Sequence, residues 1–205
     1  MPDVPDGPDV PGKVVVETER LLLRQFTADD GDLLFELDND AEVMRYNNGG
    51  LPVPRAEIDD ETLPAFLGYY ERGEAYGFWA VIERYTGRFL GWFHFRPQPG
   101  DDPFEPELGY RLHPFSWGQG YGTEGSRALI DRGFLEHGVQ RVHAETMAVN
   151  IGSRRVMEKA GMRYVRTFDA EWPVRIDGDE HGDVEYAIDR AQWEAARATR
   201  ATRAT

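Results

Sequence analysis

Trp117-Gly118-Gln119-Gly120-Tyr121-Gly122-Thr123-Glu124 sets three alternating glycines at the start of a helical pattern expected to run from Gly122 to His137. Glycine has no Cβ, so successive backbone N–H groups at a helix N-terminus can converge on one anion. A phosphate-bearing cofactor is the first expectation. Gly120-x-Gly122-x-x-Gly125 also satisfies the dinucleotide fingerprint, and Glu145 falls near the spacing of its ribose-binding acid. The flanking chain argues against that reading. In a dinucleotide fold a strand runs straight into the first glycine, whereas here the strand candidate Glu105 to Leu112 is followed by His113-Pro114-Phe115-Ser116-Trp117. Too little chain remains downstream for the rest of a doubly wound sheet. No Gly-Lys-Ser/Thr follows the glycines, which excludes a Walker-type loop. The plain alternative is a glycine turn without a ligand, against which stands the backbone entropy that three glycines lose on folding.

Beyond the helix, Arg141 to Met147 alternates as a strand does, and Asn150 to Met162 reads as a capped helix stopped by Gly161. The order of strand, glycine turn, helix, strand, Asn-x-x-Ser helix, Gly-Met and further strand resembles the GCN5-related N-acetyltransferases. The resemblance is closest to the branch of ribosomal-protein N-terminal acetyltransferases, and it extends from Thr18-Glu19-Arg20-Leu21-Leu22-Leu23-Arg24 to Asp183-Val184-Glu185-Tyr186-Ala187-Ile188. One departure stands out. Where the family usually has Gln or Arg at the first position of its glycine motif, this chain has Trp117. The resemblance implies a mixed α/β fold, a mostly antiparallel central sheet flanked by helices. It also implies acetyl-CoA as cosubstrate, with no metal and no covalent intermediate, and direct attack by an amine.

Composition fits one compact enzyme. At 205 residues and 40% hydrophobic content, the chain is about the length of one domain. There is no cysteine, so disulfides, thiolate metal sites and a cysteinyl acyl-enzyme are excluded. No apolar run is long enough for a bilayer span and no leader is apparent, which sets the expectation of a soluble cytoplasmic protein without membrane contact. The formal charge of −14 repels nucleic acid. Acidic clusters at Asp38-Asn39-Asp40, Asp59-Asp60-Glu61 and Asp101-Asp102 either draw a cationic acceptor or only solvate loops. A homodimer is left open.

Residues 1–12 lack apolar periodicity and are expected as a flexible tail, followed by a single domain over 13–196 and a second tail over 197–205. Arg20 to Phe26 reads as the first strand, with Thr27 capping a helix to about Leu37. Ala56 to Arg72 is a helix bent near Pro64. Strands are expected at Gly77 to Arg84, Arg88 to Phe95, Glu105 to Leu112, Met162 to Asp169 and Val184 to Asp189, with a loop over 169–182 near an acceptor pocket.

Acyl transfer needs a polarised carbonyl, a proton acceptor for the amine and a proton donor for the leaving thiolate. The resemblance makes Glu107, in Glu107-Leu108-Gly109-Tyr110, the candidate base, provided burial raises its pKa toward neutrality. His113 is the runner-up. Ser153 is the candidate acid, with Tyr110 as its alternative, and Asn150 is both helix cap and a partner for the pantetheine arm. Cofactor contacts are expected from Leu112, Trp117, Gly118, Gln119, Gly120, Tyr121, Gly122, Thr123, Asn150, Ser153 and Arg155, with Arg154 a second candidate cation. Tyr46, Trp92 and Trp172 are expected to line the acceptor pocket. The acceptor is expected to be a protein or peptide N-terminus, or else a small-molecule amine; a non-catalytic acyl-CoA-binding module is the contrasting reading.

Overall fold

The computed structural model describes residues 10–170, 172 and 174–203. Positions 1–9 of the expected N-terminal tail, Glu171 and Pro173 of the expected loop, and the last two residues lie outside the described residues. In chain order the elements are β1 (Val14–Glu17), β2 (Leu21–Gln25), α1 (Gly31–Asp38), α2 (Ala41–Met44), α3 (Arg55–Glu57), α4 (Leu63–Tyr69), β3 (Gly77–Glu83), β4 (Phe89–Arg96), β5 (Glu107–Leu112), α5 (Tyr121–Glu136), β6 (Arg141–Met147), α6 (Ile151–Ala160), β7 (Arg163–Phe168), β8 (Asp183–Asp189) and α7 (Arg190–Arg203). The eight strands form one sheet in the order β1-β2-β3-β4-β5-β6-β8-β7. Every neighbouring pair is antiparallel except β5 and β6.

Alternation along the strands divides the core in two. Leu21 and Leu23 of β2 and Phe93 and Phe95 of β4 face α5, α6 and α7, while Leu22 and Trp92 face α1, α2 and α4. Leu129, Ile130 and Phe134 of α5 are at most 2% exposed, and burying each contributes about 1.5–3 kcal/mol. Two glycines let α5 come this close. A Cβ on Gly125 would stand 2.6 Å from the Phe93 ring, and one on Gly133 would stand 2.6 Å from Phe95 Cζ. The third glycine of the apparent dinucleotide fingerprint is therefore a packing residue.

The parallel pair carries the functional geometry. Among the described residues β5 and β6 are in register at Glu107 and His143 alone, and beyond that point they part. The glycine turn and α5 make the crossover between them, so the opening lies beside the N-terminus of α5.

Several expectations need correction. Arg20 to Phe26 is not the first strand, because the Val14-Val15-Val16 run pairs antiparallel with β2. The helix expected from Thr27 begins as a 3-10 turn at Ala28–Asp30. Asp40 caps the short α2, its Oδ1 accepting from the Glu42 and Val43 amides at 2.9 and 3.3 Å. Asp38 is buried against Arg111 at 2.7 Å and Asp59 holds Arg55, so these acidic residues do structural work within the chain. The bend near Pro64 is a π-helical turn, Ile58–Thr62, just before the proline, where a missing N–H and a ring clash are absorbed. Residues 197–203, expected as tail, continue α7, since the Arg-Ala-Thr repeat brings two good helix formers in three and no Gly or Pro interrupts it.

Candidate active site

The opening between β5 and β6 widens into a cavity of about 1030 Å³. One wall is the glycine turn. Gly118 (φ +73°) and Gly120 (φ +87°) both take left-handed backbone, and Gly120 is the cap residue of α5 with no side-chain acceptor to offer its first turn. The first-turn amides of a helix lack intrahelical partners; here they belong to Tyr121, Gly122 and Thr123, all lining the cavity with Leu112, Trp117, Gly118 and Gly120. A Cβ on Gly118 would meet no atom within 4 Å and would intrude on that space. The turn is thus built to admit an anion against bare backbone.

Its supports come from far away in sequence. Trp117 Nε1 donates to the Leu112 carbonyl at 2.8 Å, fixing the ring at the entrance. Arg20, from the β1–β2 turn, pairs with Glu124 at 2.6 Å, donates to the Gln119 carbonyl at 3.0 Å and lies 4.5 Å over the Tyr121 ring. Gln119 itself departs from expectation. Its amide donates to the Phe115 carbonyl at 2.7 Å and the residue does not line the cavity, so its contribution is the shape of the turn.

On the α6 side, Asn150 caps the helix as expected. Its Oδ1 accepts from the Ser153 amide at 3.2 Å and its Nδ2 donates to Thr146 Oγ1 at 3.1 Å. Ser153 Oγ lies 3.0 Å from Tyr110 Oη. Burial pushes the Tyr110 phenol up to about 12, with the Ser153 hydrogen bond opposing it, so the phenol stays protonated near neutrality. The two acid candidates therefore form one hydroxyl pair. The two candidate arginines separate: Arg155 lines the cavity, whereas Arg154 donates to the Ala148 carbonyl at 2.9 Å and to Tyr186 at 3.3 Å.

Across β5 the opposite face is aromatic and acidic. Tyr46, Trp92 and Trp172 all line the cavity, with Glu42, Glu107, Glu145 and Asp183 among them. Trp172 is tethered by its indole N–H to Asp183 at 3.1 Å, and Arg111 lies 5.0 Å over Trp92. Glu107 lines this side, but its acidity runs opposite to expectation. Burial alone would raise it; the His94 imidazole, at 3.6 Å, and the charges of His143 and Arg96 outweigh burial and hold the carboxyl at about 2. Gln98 also donates to its Oε2. Glu145 moves the other way, its carboxyl raised by burial and by the neighbouring Glu107 and Glu185. His113 does not line the cavity: it is buried, stacked on Phe115 at 5.0 Å, and burial lowers its pKa.

Arg20 and His94 are functional candidates that the sequence reading missed. Neither has a local signal, because each owes its place to a partner on another strand or turn.

A parted parallel pair and a bare-backbone helix terminus, opening on a cavity with an aromatic and acidic side, fit an acyl-CoA N-acyltransferase. The acetyltransferase (GNAT) domain model matches residues 20–163, and the chain belongs to that family. A curated relative, the FsC-acetyl coenzyme A-N(2)-transacetylase of Aspergillus fumigatus, is 31% identical over 185 residues, covering 87% of this chain and 77% of the relative. The crystal structure of a GNAT-family acetyltransferase from Bacillus anthracis is 25% identical with a TM-score of 0.67, covering 85% of this chain and 97% of that one. The ribosomal L7/L12 alpha-N-protein acetyltransferase RimL, solved with coenzyme A, shares the fold at 17% identity and a TM-score of 0.71, over 86% and 98% of the two chains. The protein is a CoA-dependent N-acetyltransferase with acetyl-CoA as cosubstrate. No helix among the described residues is long and apolar enough to cross a membrane.

Proposed function

We propose that the protein acetylates a primary amine of low basicity, with a peptide or protein N-terminus as the lead acceptor. The glycine turn and the first turn of α5 hold the phosphates of the cosubstrate, and Leu112, Asn150, Ser153 and Arg155 flank the rest of it. The acceptor enters from the side of Tyr46, Trp92 and Trp172. Glu107 holds the incoming ammonium by charge, and the Tyr110–Ser153 pair supplies a proton to the departing thiolate. Transfer is direct, and holding both reactants in line accounts for much of the rate.

The placement of Glu107 carries this reading, a carboxylate lining the acceptor side of the cavity 3.6 Å from His94. A carboxylate held at about 2 attracts a cation well but keeps a proton badly. An acceptor of low basicity then gives up its proton most readily at neutral pH. An α-amine, with a pKa near 7.8, is about one part in seven unprotonated at pH 7, whereas a lysine side chain is about one part in 2,500. A small-molecule amine is the second reading, favoured by the 31% identity to a relative named as an N(2)-transacetylase.

The test is release of free CoA with three acceptor sets: peptides with free or blocked N-termini, lysine side-chain amines, and small α-amines. Each is crossed with acetyl-, propionyl- and succinyl-CoA. Free N-termini should turn over at pH 7 and blocked ones should not. Lysine side chains outpacing α-amines would overturn the proposal. In Glu107→Gln, the acceptor KM should rise while CoA affinity holds.

A further inference from the structure

We infer that His94, its Nε2 turned to Glu107, takes the proton from the attacking amine. The inference rests on the reading that the acceptor enters from the aromatic face.

His94, on β4, pairs across the strands with Gly109 of β5. Its ring lies flat over that glycine, where a Cβ would overlap the imidazole. Only a residue without a side chain lets the ring sit there. The ring is held at 5.9 Å and 30° on Trp92 and edge-on at 5.7 Å to Phe78. It lines the cavity, and its Nε2 is buried 3.6 Å from Glu107 Oε2. A carboxylate behind one ring nitrogen fixes the tautomer and leaves the other nitrogen as the proton acceptor.

The position on β5 supplies the task. Gly109 and Tyr110 are consecutive, so they present opposite faces just where β5 leaves β6. His94 therefore stands on the acceptor face, one residue from the Tyr110–Ser153 hydroxyls on the other. The charged and titratable groups around the ring are Glu107 on β5, Arg96 on β4 and His143 on β6. Glu107, 3.6 Å away and fixed as an anion, stabilises the imidazolium that forms.

The step balances as follows. The imidazole takes one proton from the bound ammonium, the freed lone pair forms the N–C bond to the acetyl carbon, and the C–S pair leaves with sulfur. The hydroxyl pair gives a proton to the thiolate and is reprotonated by the second proton that the nitrogen sheds. His94 then releases its proton to solvent, so one proton is released per ammonium acetylated.

His94→Gln decides it. Single-turnover transfer to a short free-N-terminus peptide, and acetyl-CoA hydrolysis without any amine, are followed from about pH 6 to about pH 9, around the α-amine pKa. Near pH 7 both rates should fall about 100-fold with CoA affinity retained, and peptide transfer should recover as the free amine becomes abundant. Gly109→Ala, which keeps the imidazole but displaces the ring, should show the same loss. Wild-type rates at pH 7 in His94→Gln, or an equal loss at every pH, overturn the proton role. If wild-type enzyme transfers to no peptide, the acceptor reading fails, while hydrolysis still decides His94.

Discussion

Two hydroxyls 3.0 Å apart are proposed to share one role at the leaving-group side, and sharing would make single deletions misleading. Tyr110, held near 12 by burial, remains a phenol across the physiological range. Ser153 sits on the first turn of α6 with its amide already satisfied by Asn150. With either hydroxyl gone, the other still reaches a thiolate in the opening. Ser153→Ala should therefore lower single-turnover transfer about tenfold and Tyr110→Phe by a similar amount, at the low end for loss of one proton donor. The double variant should lose well more than the product of the two single losses, because it removes the hydroxyl that covers for the missing one. CoA affinity should change little in all three. Losses that multiply would mean two independent contributions, and a silent Ser153→Ala would leave Tyr110 as the donor.

At the scale of elements, α6 shows a functional helix positioned by its ends. Asn150 caps it and ties it to Thr146 on β6, while Gly161 at φ +103° closes it. Asn150→Ala should cost about 1 kcal/mol, lowering Tm by about 2–4 °C in a chain of this size, and should loosen Ser153 at the same time. Asn150→Asp keeps the capping oxygen and should recover most of the stability; equal Tm losses in the two variants would refute the cap. These elements were legible because their signals are local. The strand Arg141–Met147 matches its expected bounds, and the α6 cap and stop fall where Asn150 and Gly161 predict them. The short β1 and α2 were not legible, since four residues carry no period and their stability comes from β2 and from packing. The same limit hid the support of the glycine turn. Arg20 and Gln119 are 99 positions apart, and His94 covers Gly109 only through the β4–β5 register. The depression of Glu107 below its ordinary range depends on His94, His143 and Arg96, which the fold assembles from two strands.

For the whole molecule, the question is how a chain with a formal charge of −14 tolerates acid. Self-repulsion among the carboxylates falls as they protonate, which by itself favours the compact state at mildly acidic pH. The buried pair Arg24–Asp30 opposes this. Its two contacts are 2.7 and 2.8 Å, both residues are at most 4% exposed, and Asp30 also accepts from the Thr27 amide. Burial would raise the Asp30 carboxyl, but the Arg24 and Thr27 hydrogen bonds outweigh it and the net shift is downward. A carboxyl depressed in the folded state contributes stability in full above its unfolded pKa, near 3.9, and loses it as pH falls through the folded value. Glu107, held at about 2, and Glu185, depressed by Arg166 and Arg141 against burial, act in the same direction. Tm should thus stay level or rise slightly from about pH 7 to about pH 5, then fall steeply below about pH 4. Asp30→Asn strands the Arg24 charge and should cost about 3–5 kcal/mol at neutral pH. The variant should also show a shallower acid limb, having lost one of the groups that titrates there. Thermal melts of both proteins across pH in constant salt decide the matter: parallel curves would show that the acid limb arises elsewhere, in net charge or in the other carboxylates.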